Sequence, residues 1–161
     1  MTVPKVLVLY YSASGNTKKM AEEVLKGAQA EKVSVSIASV EAFRVDGLLE
    51  PDGIIIGSPC YYGTMAAPVK ALFDESVKFH GKLEGKVGGA FCSSANVGGG
   101  NETTILDILN AMLIHGMVVK GSPTGDHYGP VAIGSPDSRA LKECNKLGRD
   151  LARLVLKLAG K

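Results

Sequence analysis

Ser12-Ala13-Ser14-Gly15-Asn16-Thr17 is a run of small or polar residues in which four side chains can donate hydrogen bonds. A segment of that kind suits an anion, because it offers hydroxyl and amide donors and, at Gly15, a backbone free to turn. The chemistry would be that of holding a phosphate with neutral groups: no Lys or Arg lies inside the segment, while Lys18 and Lys19 follow it directly. It is not a Walker A loop, since no Gly-Lys-Ser/Thr follows at the required spacing, and it is not the Gly-x-Gly-x-x-Gly of dinucleotide folds. Ser, Asn and Thr are also ordinary helix-capping residues, which is the plain alternative.

What positions this segment is a strand before it and a helix after it. Val6-Leu7-Val8-Leu9-Tyr10 is apolar throughout, as in a strand covered on both faces of a parallel sheet. From Thr17 onward Met20, Ala21, Val24, Leu25 and Ala28 recur at helical spacing. The turn between them offers unpaired amides and the positive end of a helix dipole.

The rest of the chain repeats the pattern. Val33, Val35 and Ile37 alternate with serines, as in a strand at a sheet edge, and Asp52 to Gly57 reads as a central strand ending in a turn at Ser58-Pro59. Pro68 fits the first turn of a helix carrying Val69, Leu72, Phe73 and Val77. Lys86 to Cys92 is a fourth strand whose Gly88 and Gly89 mark close helix packing, and Asn101-Glu102-Thr103-Thr104 opens the next helix. Met117 to Val119 and Val131 to Ile133 are short apolar runs separated by a Gly/Pro-rich segment. The closing helix carries Leu141, Cys144, Leu147, Leu151, Leu154, Val155 and Leu158. The alternation predicts an α/β fold: one domain over residues 1–161, a doubly wound five-stranded parallel sheet of order 2-1-3-4-5 with helices on both faces. Ligands of such sheets bind beyond the carboxyl ends of the strands, where three loops stand out: Ser12 to Thr17, Ser58 to Met65 and Ser93 to Gly100.

Composition narrows the partners. A net charge of +2 without a basic stripe gives no footprint for nucleic acid, and no apolar run is long enough to insert in a membrane. Met1 to Lys5 leads into the first strand without a signal-peptide core, so a cytoplasmic protein is expected. Cys60, Cys92 and Cys144 form no Cys-x-x-Cys pair and read as reduced thiols. The three histidines, His80, His115 and His127, have no metal-ligand spacing.

With these loops placed, the chain resembles the flavodoxin-like superfamily, and within it the short flavoproteins related to the Trp-repressor-binding-protein type of NAD(P)H:quinone oxidoreductase. The segments that carry the resemblance are Tyr11 to Thr17, Gly57 to Met65, and Phe91 to Thr104 followed by His115-Gly116-Met117. The resemblance implies non-covalent FMN, with its phosphate on Ser12, Ala13, Ser14, Gly15, Asn16 and Thr17. Its isoalloxazine would be bordered by Pro59, Cys60, Tyr61, Tyr62 and Gly63 and lined on the other side by Ser93, Ser94, Ala95, Asn96, Val97 and Gly98. His115 matches a position that contacts the flavin; read physically, it equally suits a helix C-cap. Tyr61 and Tyr62 suit either ring stacking or half-burial at a strand end. Asp126 to Gly129 suits either a lid or a surface loop. The family also implies assembly as a dimer or tetramer, with an aromatic residue on an insertion covering the nicotinamide or quinone. This chain has no Trp and no such insertion, leaving Phe79 or His80 either as substitutes or as core and surface residues.

The implied activity is transfer of a hydride from NAD(P)H through FMN to a quinone or similar acceptor, the cofactor supplying the chemistry and no side chain acting as catalyst. The rival is a flavodoxin-like electron carrier, although such carriers are usually strongly acidic and this chain is not. A flavin-free binding module is a further reading. A cysteine phosphatase or arsenate reductase needs an Arg six residues after its Cys, and those positions hold Ala66, Gly98 and Asp150.

Overall fold

The computed structural model describes residues 2–160; Met1 and Lys161, the ends of the predicted domain, lie outside the described residues. The chain runs β1 (Lys5–Tyr10), α1 (Asn16–Gln29), β2 (Ser34–Ser39), β3 (Gly53–Tyr61), β4 (Thr64–Met65), α2 (Ala67–Ser76), β5 (Val87–Ser94), α3 (Asn101–Ile114), β6 (Val118–Val119), β7 (Val131–Ile133) and α4 (Ser138–Leu158). The parallel order is β2-β1-β3-β5-β6, with β7 also parallel to β5 and β4 antiparallel to β3. The predicted order is therefore present, its fifth strand split in two. β6 pairs with the start of β5 at Val87 and Gly88, and β7 with its end at Cys92 to Ser94.

Alternation along the strands divides the core. Leu7, Leu9, Ile54 and Ile56 face α2 and α3, while Val6, Val8, Ile55 and Phe91 face α1 and α4. This is why the central strands are apolar at both parities. Glycines set how closely the layers approach. A Cβ at Gly89 would sit 2.2 Å from Leu151 Cδ1, and one at Gly88 2.8 Å from Met112 Sδ, so helices press on β5 from both faces as expected. A Cβ at Gly57 would lie 2.0 Å from the ring of Phe91, which is fully buried against it. Between α1 and α4, Gly27 and Gly148 bring backbones together: their added Cβ atoms would fall 1.9 Å from Asn145 O and 2.0 Å from Val24 O.

β3 continues past the predicted turn to Tyr61. Its pairing with β1 ends at Tyr10–Gly57, so Pro59 has only β5 beside it, where a residue without an amide hydrogen is tolerated. Tyr61–Thr64 then closes a two-residue hairpin onto β4. Both central residues have positive φ, Tyr62 at 53° and Gly63 at 81°, the pattern of a type I′ turn. Gly63 adopts it freely, while for Tyr62 the left-handed region costs about 1–2 kcal/mol.

Candidate functional site

At the carboxyl ends of β1, β3 and β5 the three loops converge on one open cleft of about 420 Å³, within the size range of small-molecule sites. Ala13, Ser14, Asn16 and Thr17 supply one wall, Pro59, Cys60 and Tyr61 another, and Ser93, Ser94 and Ala95 the floor. The cleft straddles the place where strand order reverses, between β1 and β3.

The first wall is a cradle at the start of α1. Gly15 caps the helix with φ +91°, and Ser12 Oγ accepts from the amides of Gly15 at 3.1 Å and Lys18 at 3.3 Å, stiffening the turn. Asn16 and Thr17 belong to the first turn, whose amides have no acceptor within the helix. A Cβ placed at Gly15 or at Gly98 would meet no atom within 4 Å, so neither turn is blocked by the protein's own side chains. Amides, hydroxyls and a helix N-terminus around open space fit a phosphate group.

The cradle is locked to the floor from inside. Thr17 and Ser93 are buried and share a 2.9 Å hydrogen bond between hydroxyls. On the opposite wall Ser58 Oγ accepts from the Ala66 amide at 2.9 Å and donates to Pro59 O at 2.7 Å, fixing the entry to the hairpin. Cys60 Sγ donates to Gly99 O at 3.0 Å, and Asn101 Nδ2 donates to Ser94 Oγ at 3.2 Å. Tyr11 and Tyr61 meet edge to face with ring centroids 6.5 Å apart. Tyr62 and Val97 stand in solvent on the neighbouring loops, and Gly63 and Gly100 touch backbone to backbone.

Ser12, Gly15, Tyr62, Gly63, Asn96, Val97 and Gly98 shape the loops rather than the cleft walls, while Gly134 joins the walls unforeseen. Its amide donates to Ser94 O at 2.7 Å at the end of β7. The signal was a three-residue apolar run closed by Gly134-Ser135-Pro136.

His115 is not brought to the cleft. It caps the far end of α3, at the opposite edge of the sheet, where it is 93% buried and its Nε2 lies 2.7 Å from Ser76 Oγ. The Ser76 hydroxyl donates to Phe73 O, so the imidazole donates through Nε2 and its buried Nδ1 has no partner. Burial, and then the nearby His80, hold His115 below the usual imidazole range. The C-cap alternative describes it. Phe79 packs against the core and His80 is exposed, both at that same far edge, so neither covers the cleft.

Asp126 to Gly129 lies over α4 instead of the cleft. Arg139 Nη1 holds both Asp126 carboxylate oxygens at 2.9 Å, and Lys146 Nζ donates to Ser122 Oγ at 2.8 Å, so the surface-loop reading describes this segment. Cys92 and Cys144 are sealed in the core, where burial pushes both thiols up to about 12. Among the described residues no helix is long and apolar enough to cross a membrane.

A doubly wound parallel sheet with a cradle at its first strand-to-helix turn and a cleft at its switch point defines a flavodoxin-like protein. Residues 44–126 match the NADPH-dependent FMN reductase family model, and the chain belongs to that family. It is 39% identical over 160 residues to a flavodoxin of Aquifex aeolicus, covering 94% of this chain and 86% of that one. It is 37% identical over 196 aligned positions to an NAD(P)H dehydrogenase (quinone) of Sinorhizobium fredii, covering 96% and 98%. The crystal structure of a flavodoxin, WrbA-like protein from Agrobacterium tumefaciens superposes with a TM-score of 0.84 at 27% identity, covering 96% and 98%. An alignment of 196 positions against 161 residues means that the Sinorhizobium relative has at least 35 residues with no counterpart here.

Proposed function

We propose that the chain is an FMN-dependent oxidoreductase that takes reducing equivalents from NAD(P)H and passes them to a quinone or similar acceptor. The observation that carries this reading is the convergence of the three strand-end loops on one cleft. The family match and the relatives named NAD(P)H dehydrogenase (quinone) support it.

The residues fit FMN. Ser12, Ala13, Ser14, Gly15, Asn16 and Thr17 would hold its phosphate by neutral hydrogen bonds and the α1 dipole. Pro59, Cys60, Tyr61, Tyr62 and Gly63 would border its ring on the hairpin side, and Ser93, Ser94, Ala95, Asn96, Val97 and Gly98 on the other. FMN when bound supplies the exchange of a hydride for electrons. The Thr17–Ser93 lock would orient it in a cleft that opens to solvent, where a second molecule would approach. His115 has no part in this reading, because it is buried at the other edge.

Assembly into a dimer or tetramer draws support from Val77, Leu113 and Ile114, which leave apolar surface in solvent near the far edge. Three free cysteines support a reducing, cytoplasmic location.

The test is anaerobic addition of NADH or NADPH to FMN-loaded protein. Bleaching of the flavin absorbance, with recovery on adding a quinone, is the expected result. A second reading, an electron carrier without a substrate of its own, is favoured by the missing 35 or more residues and by the Aquifex flavodoxin, which aligns over 160 residues. Flavin that dithionite reduces but neither pyridine nucleotide does would select the carrier.

A further inference from the structure

The hairpin beside the cleft has a strained tip and few contacts of its own. Tyr62 adopts φ 53° fully in solvent, and β4 is only two residues long. Two-residue hairpins of this kind are marginal unless something outside them fixes the turn.

That support comes from one face of α3. Thr103 Oγ1 lies 2.7 Å from Gly63 O, at the turn itself, and 2.9 Å from Gly100 O. A hydroxyl has one proton to donate. Gly100 O already receives the Thr104 amide at 3.0 Å and the Thr104 hydroxyl at 2.8 Å, so the Thr103 proton is best placed on Gly63 O. Four residues along, on the same helix face, Asp107 Oδ2 accepts from Thr64 Oγ1, the residue after the turn. Gly100, at the start of the same helix, presses on the turn as well: a Cβ there would come within 2.6 Å of Gly63 Cα.

We propose that Thr103, assisted by Asp107, is a positioning residue that holds the Tyr61–Thr64 turn in the pose required by the cleft. Thr103 is exposed and lies outside the cleft lining, so its effect on a ligand passes through the turn. The proposal rests on the FMN reading only for its binding readout.

Three proteins test it: wild type, Thr103→Val and Thr103→Ser. In the apoprotein, Thr103→Val should speed hydrogen exchange at the Thr64 amide, the one that closes the turn, about fivefold, the order expected for one lost hydrogen bond. FMN affinity should fall by about the same factor while the apoprotein unfolding midpoint drops by only a few degrees, the share of one hydrogen bond. Thr103→Ser, which keeps the hydroxyl, should restore both. Exchange and affinity unchanged in Thr103→Val would overturn the proposal. So would a serine variant behaving like valine, or a valine midpoint lowered far beyond that share. Wild-type protein that takes up no FMN would end the FMN reading, and the exchange measurement would still decide the tether.

Discussion

The two edges of the sheet each bury a polar side chain, and they do opposite things with it. At the carboxyl edge Thr17 is sealed in but paired with Ser93, and the bond joins the cradle to the cleft floor. At the amino edge His115 is sealed in with one ring nitrogen paired and the other without a partner. A buried polar group with all its bonds made can specify geometry; one left short is a standing cost. Burial alone therefore does not mark the candidate site. What marks it is a buried group tied to residues that line open space.

The largest effect should come from breaking the first of these pairs. Thr17→Val keeps the shape and leaves Ser93 without its partner, so unfolding stability should fall by about 1–3 kcal/mol and FMN affinity more than about tenfold. Calorimetry and an FMN titration on the same preparation check both. The matching change at the other edge, His115→Leu, should leave FMN affinity within about twofold and stability within about 1 kcal/mol, since it removes an unpaired acceptor with its bond. A loss of FMN binding there would restore the flavin role expected from sequence.

The two variants differ again with pH. His115 is held below its ordinary range in the folded protein, so the unfolded chain takes up a proton first as pH falls. Its share of stability is full above the unfolded value of about 6.5 and is lost progressively below it. Urea midpoints should drop between about pH 7 and 5.5 in wild type and drop less in His115→Leu. The smallest effect concerns the thiols. With pKa values raised to about 12 and no exposure, Cys92 and Cys144 should resist alkylation at neutral pH in folded protein, and mass mapping should find label at Cys60 alone.

Much of the fold was legible because the central strands are apolar at both parities and the helices are not. The same rule found part of α4: Cys144, Leu151 and Val155 are buried and Leu147 and Leu154 pack against the core, but it passed over Ala140, Gly148 and Ala152 and took in Leu158, which is exposed. Backbone contact at Gly148 selects small residues, and a count of large apolar ones overlooks them. The β3–β4 hairpin was hidden by Pro59, a turn signal whose meaning depended on where β1 stops. Gly134 was hidden because β7 reaches the cleft only after the fifth strand is interrupted. His115 followed from motif likeness, and motif position does not say which end of a helix faces the ligand.

Flavin binding gripped through the Gly15 turn underlies the whole proposed function. FMN should be titrated into apoprotein of the wild type and of Gly15→Val, following flavin fluorescence. The Gly15 turn needs φ +91° and has space around it, so valine should strain the cradle without a clash in the core. Saturable, one-to-one quenching in the wild type that is lost in a still-folded variant is the predicted result. No quenching in the wild type, or equal binding by both proteins, would contradict it.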